Sequence, residues 1–156
     1  MKRVVFIAST GGHLNELLQF KSLFKLFNTT LITENGEATK YLKKTYPGHV
    51  HYLFFGSRQH LFSYIFKFIA NALLSLIYVL SFRPQYVVST GTHTAVVFCY
   101  LAKLLGAKVI YIETYANVEK TNISGKLIHP IADLYLVQWE SLLKVYPKAK
   151  YVGKVY

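Results

Sequence analysis

The stretch that most restricts the fold is Val4-Val5-Phe6-Ile7-Ala8, which runs through Ser9-Thr10-Gly11-Gly12-His13 straight into Leu14 and an amphipathic helical pattern. A run that is apolar at every position, rather than at every second one, is a strand covered on both faces, and such strands belong to parallel sheets. The glycines let the chain turn sharply and bring its backbone close to a ligand. The helix that follows points free N–H groups and the positive end of its dipole at the same place. The turn is therefore a candidate anion site with one imidazole at its rim, the plain alternative being an ordinary strand-to-helix connection. It is neither Gly-x-Gly-x-x-Gly nor Gly-x-x-x-x-Gly-Lys-Ser/Thr, which argues against a nucleotide triphosphatase.

The same grammar continues. Strands are expected at 29–33, 49–55, 86–88, 109–112 and 133–137. Helical patterns are expected at 14–27, 37–46, 61–82, 95–105, 124–132 and 139–146, and a last strand or linker at 151–156. Alternation of this kind means an α/β fold, a Rossmann-like doubly wound parallel sheet, here as a single domain over 1–156. Ser89-Thr90-Gly91-Thr92-His93-Thr94 repeats the logic of the first turn, with Thr92 or Thr94 as the expected helix cap. Two such turns at the carboxyl ends of parallel strands would face one crevice, where ligands bind in open α/β sheets. Glu113 ends the strand at 109–112, beside Tyr115 and Asn117. A carboxylate there suits acid–base work or the binding of sugar hydroxyls; a helix cap or salt-bridge acid is the equal alternative.

Leu61 to Phe82 is almost wholly apolar, and its polar residues Ser63, Lys67, Asn71 and Ser75 recur every four positions as one narrow stripe. Arg83-Pro84 ends it. At about 22 residues it is long enough to cross a bilayer. A crossing would leave the strands before and after it on opposite sides, each set too small to cover itself. The expectation is a helix lying in the membrane interface, one apolar side on the sheet. Phe62, Ile65, Phe66, Ile69, Leu73 and Leu76 would reach lipid, with Arg58, Gln59, His60, Lys67 and Arg83 at headgroup level. A plain buried helix or protein interface, and a true span, are the other two readings.

Composition supports a membrane surface. The chain is 53% hydrophobic and carries a formal charge of +11 with only seven acids. Apolar burial and lysine attraction add at an anionic membrane, whereas nucleic acid explains the charge but not the apolar content, and is not expected as a partner. The single cysteine, Cys99, lies in an apolar helical pattern and reads as core; it permits neither an internal disulfide nor a cysteine metal cluster. The chain begins in a strand without a signal-peptide pattern, so a cytoplasmic location is expected. No metal and no cofactor are expected, and neither Gly-x-Ser-x-Gly nor a metal-spaced cluster supports a self-sufficient small hydrolase.

At Ser9 to Leu14, Ser89 to Thr94, Tyr111-Ile112-Glu113-Thr114-Tyr115-Ala116, Gly125 to Asp133 and Val137-Gln138-Trp139-Glu140 a resemblance becomes specific. The chain resembles the membrane-anchoring, acceptor-side subunit of the two-part N-acetylglucosaminyltransferase of asparagine-linked glycosylation. It resembles still more its bacterial relatives in capsular and exopolysaccharide synthesis, where the subunit enhances a β-1,4-glycosyltransferase partner. A more distant likeness is to the amino-terminal domain of the glycosyltransferase that makes peptidoglycan's last lipid-linked precursor. The resemblance implies a GT-B amino-terminal-type domain on the cytoplasmic face of the membrane, holding a polyprenyl-diphosphate-linked acceptor. A second subunit would hold the UDP-sugar. It further implies that Ser9, Thr10, Gly11, Gly12, Thr90, Gly91, Thr92 and His93 cradle the diphosphate, and that Tyr115 and Asn117 meet the acceptor sugar. Aromatics are enriched at interfaces, so Trp139, Tyr151 and Tyr156, with Tyr146 beside them, are candidates to face the partner, a place in the core being the equal alternative. His13 is the best candidate base, since an imidazole works near neutral pH, and Glu113 would orient it or touch the sugar.

Overall fold

The computed structural model describes residues 1–56 and 61–155, with side chains from Ile65 onward in the second stretch. Among them, seven strands build one sheet: β1 (Arg3–Ala8), β2 (Asn28–Glu34), β3 (Val50–Leu53), β4 (Tyr86–Gly91), β5 (Lys108–Ile112), β6 (Leu134–Val137) and β7 (Lys150–Tyr151). Their order is β3-β2-β1-β4-β5-β6-β7 and every pairing is parallel. The chain builds outward from β1 to β3, crosses back, and builds outward the other way from β4. The strand order thus reverses between β1 and β4, which makes their carboxyl ends the switch point of the sheet.

Alternate residues of β1 enter different cores, as a strand buried on both faces requires. Val4, Phe6 and Ala8 join Leu14, Leu17, Leu31 and Leu42, under α1 (Gly12–Leu18) and α2 (Tyr41–Thr45). Val5 and Ile7 join Val79, Ala95, Phe98, Cys99 and Ile128, under α3 (Leu61–Phe82), α4 (His93–Leu104) and α5 (Ile123–Ile128). Cys99 is a core residue, and burial pushes its thiol up to about 12.

Several expected bounds shift for local reasons. After Leu18 the chain tightens into a 3₁₀ segment, Gln19–Lys25, because Phe20 and Leu23, then Phe24 and Phe27, reach the core at a spacing of three; Leu26 is left exposed. The helix expected over 37–46 breaks into a 3₁₀ turn, Glu37–Thr39, and α2. The Thr39 hydroxyl donates to the Glu34 carbonyl (2.8 Å) and accepts from the Gly36 amide (3.1 Å), a local arrangement that competes with helix. Helix α5 begins at Ile123, capped by Asn122, whose Oδ1 accepts from the Gly125 amide. Thr92 occupies the cap position of α4 but makes no capping bond, and Thr94 is buried inside that helix.

The bounds of the long helix are as expected. The inward face carries the expected apolar residues Leu74, Tyr78, Val79 and Phe82, and the polar stripe is turned inward with them. Asn71, Ser75 and Val79 are buried, one turn apart, and Lys67 is half-buried at the same spacing. Asn71 accepts from the Phe54 amide (2.7 Å) and donates to the Phe54 carbonyl (2.9 Å), so it closes the open end of β3. Ile65, Phe66, Ile69, Leu73, Leu76, Ile77 and Leu80 point outward, Phe66 at 73% and Leu73 at 60% exposure. Over Ile65–Phe82 mean hydropathy is 1.9, yet only 17% of the segment is buried, which rules out an ordinary core helix. The helix joins β3 to β4, strands of one sheet, so both its ends belong to the same layer. The side chain of Phe62, the headgroup positions Arg58, Gln59 and His60, and Tyr156 lie outside the described residues.

Candidate functional site

The two glycine–histidine turns meet at the switch point. The Ser9 amide donates to the Gly91 carbonyl (3.0 Å), and the Thr92 hydroxyl lies 3.1 Å from the Ser9 hydroxyl. Thr90 holds His13 at two points: its hydroxyl donates to the His13 carbonyl (2.6 Å), and its carbonyl lies 2.7 Å from His13 Nδ1. A carbonyl can only accept, so Nδ1 carries the proton and the lone pair of the neutral ring is on Nε2. His13 is half-buried. It is thus an imidazole of fixed tautomer at the switch point, with its lone pair on Nε2.

Two glycines are needed for this geometry. Gly11 sits at φ +85° ahead of α1, in the left-handed region where a side chain is strained. Gly91 has φ +109°, and a Cβ there would lie 3.2 Å from the Tyr111 hydroxyl and 3.3 Å from the His13 ring. The His13 ring lies across the second turn because residue 91 has no side chain.

The expected diphosphate cradle is corrected in part. Ser9 and Thr90 are buried, and Thr90 and Gly91 are occupied in joining the turns. The Thr10 amide does not face outward either: it donates to Glu34 Oε2 (3.2 Å) at the end of β2. A carboxyl group there opposes a second anion beside Thr10. Burial pushes the Glu34 carboxyl above its ordinary value, against the hydrogen bonds from Thr10. Gly11 and Gly12 are exposed; Thr92 and His93 are half-exposed, the Thr92 hydroxyl lying 3.1 Å from His93 Nδ1 as well as from Ser9.

Glu113 is fully buried. Its Oε1 accepts from Asn122 Nδ2 (2.7 Å), Asn117 Nδ2 (2.9 Å) and the Thr114 amide (3.1 Å), and its Oε2 from the Tyr135 hydroxyl (2.7 Å). Burial raises its pKa, opposed by the bonds from Tyr135, Asn117 and Thr114. None of these hydrogen bonds goes to His13, whose Nδ1 is held by the Thr90 carbonyl; His13 acts on Glu113 through its charge, which lowers the Glu113 pKa. Glu113 ties the segment 114–122 to the end of β5. Glu16 does the same from α1, its Oε1 accepting from the Thr114 hydroxyl (2.8 Å) and the Tyr115 amide (3.0 Å). Tyr115 stacks on Trp139, 4.7 Å between centroids, and its carbonyl accepts from the indole N–H (2.7 Å). Asn117 spends its amide on Glu113.

Of the expected partner-facing aromatics, Trp139 is half-buried, Tyr151 is exposed on the edge strand, and Tyr146 is in the core beside Tyr135 and His129. The sequence reading missed Glu16 and Glu34. With only seven acids in the chain, each of these two among apolar or β-branched neighbours was the available signal. No group of three or more His, Cys, Asp or Glu side chains among the described residues is arranged to hold a metal ion. A groove of about 520 Å³ leads from Thr92, His93 and Asn122 between Val96, Ile123 and Leu127 to Phe68 on α3. It joins a polar head at the switch point to the exposed apolar face.

Over residues 3–155 the sequence matches the family described as "Oligosaccharide biosynthesis protein Alg14 like". The UDP-N-acetylglucosamine transferase subunit ALG14 of Debaryomyces hansenii is 32% identical over 173 residues, covering 96% of this chain and 74% of that protein. The subunit of the same name from Candida albicans is 43% identical over 91 residues, 54% of this chain and 42% of that protein. Among solved structures, MurG of Acinetobacter baumannii superposes with a TM-score of 0.78 at 18% identity, over 99% of this chain and 46% of MurG. At that identity the likeness concerns the fold alone. The chain spans less than half the length of MurG and of the Candida protein.

Proposed function

The chain belongs to the Alg14 family, and from that premise we propose that it is the membrane-attached, acceptor-side subunit of a two-part UDP-N-acetylglucosamine transferase. In this reading 1–156 is one domain that lies on the cytoplasmic face of the membrane and binds a polyprenyl-diphosphate-linked saccharide. A second polypeptide holds the UDP-sugar. Placement in capsular or exopolysaccharide synthesis draws no support from the relatives above, and the coarser role is the one put forward.

The observation that carries the reading is the joining of the two turns: Thr90 holds His13 with its lone pair on Nε2, and the turn it is joined to, at Thr92 and His93, heads a groove that runs to Phe68 on α3. A lipid diphosphate has that shape: an anionic head on a long apolar chain. The groove takes the first isoprene units between Val96, Ile123 and Leu127. The exposed amides at Gly11 and Gly12 and the start of α4 at Thr92 and His93 face the diphosphate. Nε2 accepts the proton of the attacking sugar hydroxyl as the bond to the donor sugar forms, and the UDP leaves in the partner's half of the cleft. Tyr115, held by Glu16 and Trp139, forms one wall for the acceptor sugar. Trp139 and Tyr151 lie toward the partner.

The test is His13→Ala, assayed in the presence of the UDP-sugar-binding subunit with a short-chain lipid acceptor. Loss of a general base lowers kcat by about 10²-fold or more with little change in membrane binding. Transfer at near wild-type rate would remove His13 from the chemistry.

A further inference from the structure

At the end of the sheet opposite the histidine turns, the starts of β1, β4 and β5 and the last residues of α3 and α4 enclose a groove of about 580 Å³. Its polar wall is cationic, with Lys2, Arg3, Arg83 and Lys108. Its apolar wall is Leu80 and Leu105, both more than half exposed. Three of the four cations, all exposed, have a polar partner. Arg3 Nε donates to the Arg83 carbonyl (2.8 Å), Lys2 Nζ donates to the Tyr86 hydroxyl (3.3 Å), and Lys108 is 3.2 Å from Asp133, an acid it shares with Lys103. Arg83 has φ +44°, a left-handed conformation that glycine or asparagine takes more easily. An arginine kept in that position, where α3 stops before Pro84, is a strained residue of the kind found at binding sites.

Lysines are common over the surface of a chain of charge +11, so charge alone marks no site. Lys21 and Lys25 line a groove of the same size in the other layer, so what sets this cluster apart is that it adjoins the outward apolar strip of α3, with Leu104 at 80% exposure beside it. We propose that the groove holds the phosphate of an anionic phospholipid headgroup, with Leu80, Leu104 and Leu105 against the upper part of its acyl chains. The proposal rests on the membrane attachment argued above and adds a specific headgroup site to it. Helix α3, about 33 Å long at 1.5 Å per residue, runs from the crevice to this groove. Contact at both ends fixes it parallel to the bilayer, with the carboxyl ends of the strands at the surface where a lipid-linked acceptor arrives.

The test is sedimentation of the full chain with vesicles of phosphatidylcholine alone or with added phosphatidylglycerol. The variant Lys2→Gln/Arg83→Asn/Lys108→Gln removes three cations from the groove, and asparagine suits the left-handed backbone at 83. The control Lys21→Gln/Lys25→Gln/Lys44→Gln removes three exposed lysines from the other layer. The groove variant loses about a hundredfold in affinity for the anionic vesicles, and the control less than threefold. If melting reveals that losing the Lys108–Asp133 pair disturbs folding, Lys2→Gln/Arg83→Asn alone still loses about tenfold. Equal losses in groove variant and control would overturn the site in favour of diffuse attraction. Release of the wild type by inorganic phosphate, but not by chloride at the same ionic strength, would reassign it to a soluble phosphate. Phe66→Ser/Leu73→Ser separates the two proposals. If it abolishes binding to both vesicle types while the groove variant binds as wild type, the headgroup site fails and membrane attachment stands. If the wild type binds neither, both fail.

Discussion

His13 owes both its tautomer and its place to Thr90, and the bare α-carbon of Gly91 makes room for its ring. These residues could be read from the sequence, because a Gly-His pair after a buried strand has few uses and the pattern occurs twice. The acids around them could not. Glu34 and Glu113 are buried, and nothing in a linear pattern says whether a carboxylate at a strand end faces solvent, substrate or a neighbouring turn. Burial raises both pKa values, so each acid's contribution to stability is fullest below about pH 4.5, its ordinary value, and falls as pH rises through the folded one. Glu34→Gln, which keeps an acceptor for Thr10 and carries no charge, should stabilise the chain by about 1 kcal/mol at pH 8 and by nothing below pH 4.5. Urea titrations at the two pH values check this, and a gain that is equal at both would contradict it. Gly125 is the tightest point of the other network. A Cβ there would sit 2.4 Å from Glu113 Oε2 and 2.7 Å from the Tyr135 hydroxyl. Gly125→Ala should cost about 3 kcal/mol in thermal or chemical melts; a loss under 1 kcal/mol would mean the Glu113 network yields easily.

At the scale of elements, the sheet and its order follow from unbroken apolar runs and the crossovers between them, and the bounds of α3 could be read from hydropathy. Which side of α3 faces the protein could not. Periodicity groups residues onto a face but leaves open whether that face meets protein or lipid, and here the polar stripe went to the protein side along with Leu74, Tyr78, Val79 and Phe82. Two substitutions separate the possibilities. Asn71→Ala breaks two hydrogen bonds at the end of β3 and should cost about 2 kcal/mol. Leu73→Ser, two residues further on, should change stability by less than about 0.5 kcal/mol while lowering affinity for vesicles. Equal destabilisation by both would mean that the outward face is buried in some assembly of the free chain. The short elements were the least legible, since α2 and the 3₁₀ segments depend on single hydroxyls and on core contacts at a spacing of three.

Across the whole molecule, the turns, the exposed helix and the basic groove follow one another from the crevice at the carboxyl end of the sheet to the cations at its amino end. That layout suits a platform rather than a self-contained enzyme. In the proposed reading the acceptor side carries a base, a groove and a membrane surface, and the donor side is left to another chain. The most direct measurement is transfer of N-acetylglucosamine from its UDP donor to a short-chain lipid-linked acceptor on vesicles, with the purified chain alone, the UDP-sugar-binding subunit alone, and both together. The account predicts turnover only with both present, together with recruitment of the second subunit to the vesicles by this one. Turnover of the UDP-sugar by this chain on its own would contradict it.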